Sequence, residues 1–133
     1  MAKPKILVVD DDPDLVRALR LRLRANQYDI ATATDGYSAI AAAQKEHPDL
    51  ILLDLGLPAG DGFIVLDRLQ KSDQLAGIPV IVLSARDPQN NEQRALKAGA
   101  AAYFQKPADN EELLNVIRTN LASSGSVEVP LPS

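Results

Sequence analysis

Three runs of four consecutive large aliphatic residues set the plan of the chain: Ile6-Leu7-Val8-Val9, Leu50-Ile51-Leu52-Leu53 and Val80-Ile81-Val82-Leu83. Apolar runs of this length without polar alternation predict strands buried on both faces, as at the centre of a parallel sheet. Tyr28 to Thr32 is a weaker, more polar strand with the character of a sheet edge, and Ala102-Tyr103-Phe104 is a short final one. Helical periodicity fills the intervals. Leu15, Leu19 and Leu23, with Ala18 beside them, predict a helix over about 13–26, capped by Asp12 ahead of Pro13. Asp35-Gly36 marks a turn into an alanine-rich helix, Tyr37 to Glu46, stopped at His47-Pro48. Gly62 to Gln70 predicts a helix with Phe63, Leu66 and Leu69 inward, and Lys71 to Gly77 a loop. A polar loop, Asp87-Pro88-Gln89-Asn90-Asn91, leads to a short helix, Glu92 to Ala98, closed by Gly99. The last helix runs from Asp109 to Leu121, with Asp109 or Asn110 near its cap and Leu113, Leu114, Ile117 and Leu121 on the buried face.

Strand and helix thus alternate five times with short links. That order predicts an α/β fold: a doubly wound, five-stranded parallel sheet with right-handed crossovers. At 133 residues the chain is one domain with a core large enough to need no staples. The expected boundary is a domain over 1–122, followed at 123–133 by a flexible C-terminal tail or the start of a linker. Ser123-Ser124-Gly125-Ser126 carries that expectation.

Composition removes several function classes. The chain has no Cys, which excludes disulfides, thiolate catalysis and zinc–thiolate sites. No apolar run approaches the ~20 residues that span a bilayer, and no signal peptide is visible, so a cytoplasmic location is the default expectation. A net charge of −4 and a pI near 4.9 argue against nucleic-acid binding by this segment itself, though not by a neighbour in a longer chain. Arg17, Arg20, Arg22 and Arg24 read as a solvated helix face. His47, the single histidine, stands at a helix C-terminus with no ligand partner near it in sequence.

The chemistry gathers at strand ends. Asp10 and Asp11 follow the first strand, Asp54 the third, Ser84 closes the fourth and Lys106 follows the fifth. Parallel strands share their C-terminal edge, so all of these would lie on one rim, where open α/β sheets bind ligands. Each residue alone has a dull explanation as cap, loop hydroxyl or surface charge; their convergence does not. Crowded carboxylates repel and raise one another's pKa, and a bound cation relieves this. An all-oxygen donor set suits Mg²⁺, which binds beside phosphate. A lysine and a hydroxyl supply a cation and a donor for phosphoryl oxygens. These parts match phosphoryl transfer to a carboxylate, and Asp54 is the expected nucleophile.

With these residues in place, the sequence resembles the receiver domains of two-component response regulators. The motifs are Ile6 to Asp11; Asp54 followed by Pro58 and Asp61-Gly62; Ser84-Ala85; and Tyr103-Phe104-Gln105-Lys106-Pro107, within a likeness covering residues 5–122. The resemblance implies a flavodoxin-like strand order 2-1-3-4-5 with five helices. It implies that Asp54 accepts phosphate from a sensor histidine kinase, a phosphotransfer protein or a small phosphodonor. Asp10, Asp11, Asp54 and the Gly56 backbone carbonyl would hold Mg²⁺, Lys106 would contact the phosphoryl group, and a cis bond would precede Pro107. Ser84 and Tyr103 would form a switch acting on the surface of the fourth helix, last strand and last helix. The downstream effector is unnamed, a phosphorylation-dependent dimer is left open, and no membrane partner is implied. The protein would promote its own phosphorylation and dephosphorylation without being a turnover enzyme. Asp12, ahead of Pro13, reads as a cap and not a ligand. Gly56 and Arg86, flanking the site, leave the lifetime of the phosphorylated state open, and Ala101, Ala102 and Ala108 depart from the charged dimer face of DNA-binding subfamilies.

Three rivals remain at this stage. An aspartyl-nucleophile phosphatase would want a second acid two residues after Asp54, where Gly56 stands. A flavin or nucleotide module would want a Gly/Ser/Thr-rich loop after the first strand, where three aspartates stand instead. A receiver-like adaptor that needs no phosphorylation would not require the full set of chemical residues.

Overall fold

The computed structural model describes residues 3–58 and 61–123. Its elements run β1 (Lys5–Val9), α1 (Pro13–Ala25), β2 (Asp29–Ala33), α2 (Gly36–Glu46), β3 (Leu50–Leu53), α3 (Gly62–Lys71), β4 (Val80–Ser84), α4 (Pro88–Lys97), β5 (Ala102–Gln105) and α5 (Asn110–Ser123). The five strands form one sheet in the order β2-β1-β3-β4-β5, and every pairing is parallel. Of the tail expected at 123–133, Ser123 closes α5 and the remainder lies outside the described residues.

The aliphatic runs do what their lack of alternation requires. Successive side chains of a strand point to opposite faces, so each run feeds two cores at once. Leu7, Val9, Ile51, Leu53, Val80 and Val82 pack with α2, α3 and α4 through residues such as Ala39, Leu66 and Ala95. Ile6, Val8, Leu50, Leu52, Ile81 and Leu83 pack with α1 and α5 through Leu19, Leu23, Leu113 and Ile117. The more polar β2 is an edge strand, as its composition predicts, and β5 is the other edge.

Local chemistry sets the helix starts. Asp12 caps α1 by accepting from the amides of Asp14 and Leu15, and Pro13 follows at the first helical position. Asp35 caps α2, which therefore begins at Gly36, the position expected to be only a turn. Asp109, not Asn110, caps α5 by accepting from the Glu111 and Glu112 amides. One expectation is corrected. The segment Asp87 to Asn91 is not a polar loop; Asp87 caps α4 and Pro88 opens it, the same Asp-Pro chemistry that starts α1. Ala18, expected beside the buried stripe of α1, is exposed.

Candidate functional site

The site is built where β1 and β3, neighbours at the centre of the sheet, run out of regular structure. The ladder continues one residue past each strand: the Asp10 amide donates to Ala33 O and the Asp54 amide to Val9 O, both at 3.0 Å. Those two bonds fix the backbones from which two carboxylates project side by side. Both residues are buried, Asp10 at 3% exposure and Asp54 at 8%, whereas Asp11 is exposed. Oxygens of Asp10, Asp11 and Asp54 all lie within 4.8 Å of one another.

Lys106 closes the arrangement. Its amide donates to Ser84 O at 2.8 Å, which holds it to the end of β4. Its ammonium then reaches across to Asp10 Oδ2 at 2.7 Å and Asp54 Oδ2 at 3.5 Å. The peptide bond between Lys106 and Pro107 is cis. The remaining oxygens of the two buried carboxylates face backbone donors: Asp10 Oδ1 accepts the Asp12 amide at 3.0 Å and Asp54 Oδ1 the Gly56 amide at 3.2 Å. Each acid is thus pinned on one side by the chain and turned towards Lys106 on the other.

The charges respond to this crowding. Burial pushes the Asp10 carboxyl above its ordinary value, with Asp54 adding repulsion, although Lys106 and the Asp12 amide pull the other way. The Lys106 ammonium is also raised: burial lowers it, but Asp10 and Asp54 outweigh that. The two shifts agree physically, since one ammonium serves several carboxylates. Counting Asp10, Asp11, Asp54 and Lys106, three negative charges meet one positive. An all-carboxylate donor set with this excess fits a hard divalent cation.

Ser84 is fully buried at the end of β4, and its hydroxyl accepts the Arg86 amide at 3.1 Å. The Tyr103 hydroxyl donates to Arg86 O at 2.7 Å. Burial raises the Tyr103 phenol's pKa. Two hollows flank the site. One of about 390 Å³ lies between Asp10 and Asp11 on one side and Arg20, Thr32 and Thr34 on the other; the second, of about 470 Å³, runs from Lys106 and Pro107 between α1 and α5.

The structure therefore brings Asp10, Asp11, Asp54 and Lys106 into one cluster and places Ser84 and Tyr103 around Arg86. For Gly56 the contact shown is its amide to Asp54. Two features escape sequence reasoning. Asp61 forms an ion pair with Arg86 at 3.2 Å across 25 residues, a separation at which no local pattern signals contact. Gly62 lies so close to the end of β3 that an added Cβ would meet Leu55 Cα at 2.4 Å and Asp54 O at 2.6 Å.

Comparison with known proteins agrees with this geometry. A family model described as the response regulator receiver domain matches residues 6–118. The DNA-binding dual master transcriptional regulator RpaA of Synechocystis is 40% identical over 118 residues, covering 89% of this chain and 49% of RpaA. The transcriptional regulatory protein KdpE of Mycobacterium tuberculosis is 42% identical over 113 residues, covering 85% of this chain and 49% of KdpE. The chain thus spans about half the length of these curated relatives. Among solved structures, the receiver domain of a sensor histidine kinase from Pseudomonas aeruginosa, with a magnesium ion coordinated in its active site cleft, superposes with a TM-score of 0.84. It is 29% identical and covers 92% of this chain and all of the other. Among the described residues, no helix is long and apolar enough to cross a membrane.

Proposed function

The chain belongs to the response regulator receiver domain family, and on that premise we propose that it is a switch controlled by phosphorylation of Asp54. The observation that carries this is the Lys106 ammonium set between Asp10 and Asp54, with Asp11 in the same 4.8 Å group of carboxylates.

Asp54 is held by the Gly56 amide and the ladder bond to Val9 O, so its carboxylate is oriented before any phosphodonor arrives. Attack of an Asp54 oxygen on the phosphorus of a phosphohistidine forms the acyl phosphate. The P–N bond breaks, and its electron pair returns to the imidazole. A small acyl phosphate donor loses its carboxylate in the same way. Lys106 would neutralise charge on the phosphoryl oxygens, and Ser84, once moved towards Asp54, would donate its hydroxyl to one of them. Asp10, Asp11, Asp54 and the Gly56 carbonyl would hold Mg²⁺, which when bound supplies positive charge to the transferring group. Water attack on the phosphorus of the acyl phosphate releases inorganic phosphate and returns the Asp54 carboxylate, one phosphodonor being consumed in each round.

The new charge draws Ser84 and Lys106 inwards and shifts a pre-existing equilibrium at the surface of α4, β5 and α5. A tenfold shift needs ~1.4 kcal/mol, within reach of one or two charge-assisted hydrogen bonds. A sensor histidine kinase or phosphotransfer protein is the proposed donor in a cytoplasmic setting. The relatives of twice this length, one of them named as DNA-binding, support an effector domain as the proposed target, with dimerisation as one output. The test is acetyl phosphate with and without Mg²⁺, followed by intact mass. One Mg²⁺-dependent phosphoryl addition should appear in the parent and be absent in Asp54→Ala. Uptake by Asp54→Ala would show that the acceptor lies elsewhere.

A further inference from the structure

The polar parts of Arg86 are held by three separate elements around Ser84. Its amide donates to the Ser84 hydroxyl, its carbonyl accepts the Tyr103 hydroxyl, and its guanidinium reaches Asp61 in the loop before α3. The guanidinium carbon also lies 5.9 Å from the Phe63 ring centroid, and Arg94 of α4 covers the same ring at 3.7 Å. Partial burial pulls the Asp61 carboxyl upward, but the Phe63 amide and the Arg86 guanidinium outweigh it and keep Asp61 ionised.

Arg86 sits between β4 and α4, outside both elements, and these contacts hold it there. If Ser84 moves towards a phosphorylated Asp54, its hydroxyl leaves the Arg86 amide. The residue that loses this acceptor is the one that holds Tyr103. With the guanidinium anchored on Asp61, the Arg86 backbone must pivot about its own side chain and carry the Tyr103 hydroxyl with it. Without the anchor the loop can follow Ser84 and leave the ring where it was. We infer that Arg86, tethered by Asp61, is the positioning residue that couples the Ser84 hydroxyl to the Tyr103 ring. This rests on the phosphorylation of Asp54 proposed above. The ion pair is partly exposed, at 35% and 41% for the two side chains, so its loss should change the coupled equilibrium by about twofold to fivefold.

The test uses the full chain with its tyrosines replaced by 3-fluorotyrosine. Fluorine NMR follows the Tyr103 signal, assigned with Tyr103→Phe, before and after acetyl phosphate and Mg²⁺, and intact mass reports phosphate uptake. Asp61→Asn removes the charge yet keeps an oxygen for the Phe63 amide, so the α3 cap survives. Arg86→Gln removes the other partner. Each variant should take up phosphate while its Tyr103 signal moves measurably less than the parent's, by the amount a roughly twofold to fivefold loss in the coupled equilibrium gives. The double variant should lose no more than either single one, and Arg86→Lys should recover most of the response; a merely structural role predicts neither. If the variants take up phosphate and shift Tyr103 as fully as the parent, the coupling role is overturned and the phosphoacceptor stands. If the parent takes up no phosphate, or takes it up with Tyr103 unmoved, the switch itself is wrong and the coupling falls with it.

Discussion

Asp10→Asn should stabilise the metal-free protein. Asp10 is buried, with Lys106 at 2.7 Å and oxygens of Asp11 and Asp54 within 4.8 Å. At an effective dielectric of about 20, the attraction to Lys106 is worth ~6 kcal/mol and each repulsion at that outer separation ~3.5 kcal/mol. Two repulsions roughly cancel the single attraction, although salt screens the share of the exposed Asp11. The cost of burying the carboxylate is left over. Asparagine keeps an oxygen for the Asp12 amide, and Lys106 can turn to Asp54, already 3.5 Å away. At pH 7 in EDTA the expected gain is about 1–2 kcal/mol, read as a higher urea midpoint at unchanged slope. Mg²⁺ at ten times its Kd should add ~1.4 kcal/mol to the parent and much less to the variant, which lacks a ligand, so the gap narrows or reverses. A variant less stable than the parent in EDTA, or one that gains as much from Mg²⁺, would refute this balance.

Three other substitutions probe the frame around the site. Gly62→Ala forces a Cβ against the Leu55 and Asp54 backbones, which cannot rotate away; about 1–3 kcal/mol should be lost in urea, and acetyl phosphate uptake should slow. Unchanged stability would mean that the approach is looser than it looks. Asp61 has a lowered folded pKa, because the Phe63 amide and Arg86 outweigh the upward pull of burial. Its ionised form therefore adds stability above about pH 4 that fades as the pH falls through the lowered folded value. The stability difference between parent and Asp61→Asn should be level above that pH and shrink below it; a difference that widens in acid would contradict the sign. Leu66→Ala, in the core under α3, should cost about 2–5 kcal/mol by urea titration while phosphate uptake in the cold persists. Loss of uptake in the still-folded variant would show that core and site are not separable.

Sequence legibility divides by distance along the chain. The five strands and the residues at their ends could be placed because unbroken aliphatic runs and parallel topology dictate both. Helix starts were readable wherever the cap was recognised. Asp12-Pro13 was, while the same pair at Asp87-Pro88 was hidden by the polar residues that follow it in α4. Those residues lie on a helix with only Ala95 buried, so hydrophobic periodicity gave no signal for its first turn. The Asp61–Arg86 pair and the tight seat of Gly62 were out of reach for a different reason. Both depend on how the β3–α3 and β4–α4 loops lie in space, and neither loop carries a repeating pattern.

Strand parity sorts the site residues between the two faces of the sheet. Val9 and Leu53 face the α2–α3–α4 core, so Asp10 and Asp54, one residue on, continue towards the α1–α5 side. Val80 and Val82 also face the α2–α3–α4 core, so Ser84, two residues on, keeps their direction. Tyr103, paired with Val82, packs against the same core, whereas Ala102 and Phe104 pack on the other. The acids and Lys106 thus belong to one side of the sheet edge, and the hydroxyl–aromatic pair to the other. A one-residue shift in where β4 ends would place Ser84 on the acids' side, beside Asp54 but out of line with Tyr103. The length of the Val80-Ile81-Val82-Leu83 run, not merely its hydrophobicity, sets Ser84 on the face that carries Arg86, Tyr103 and α4.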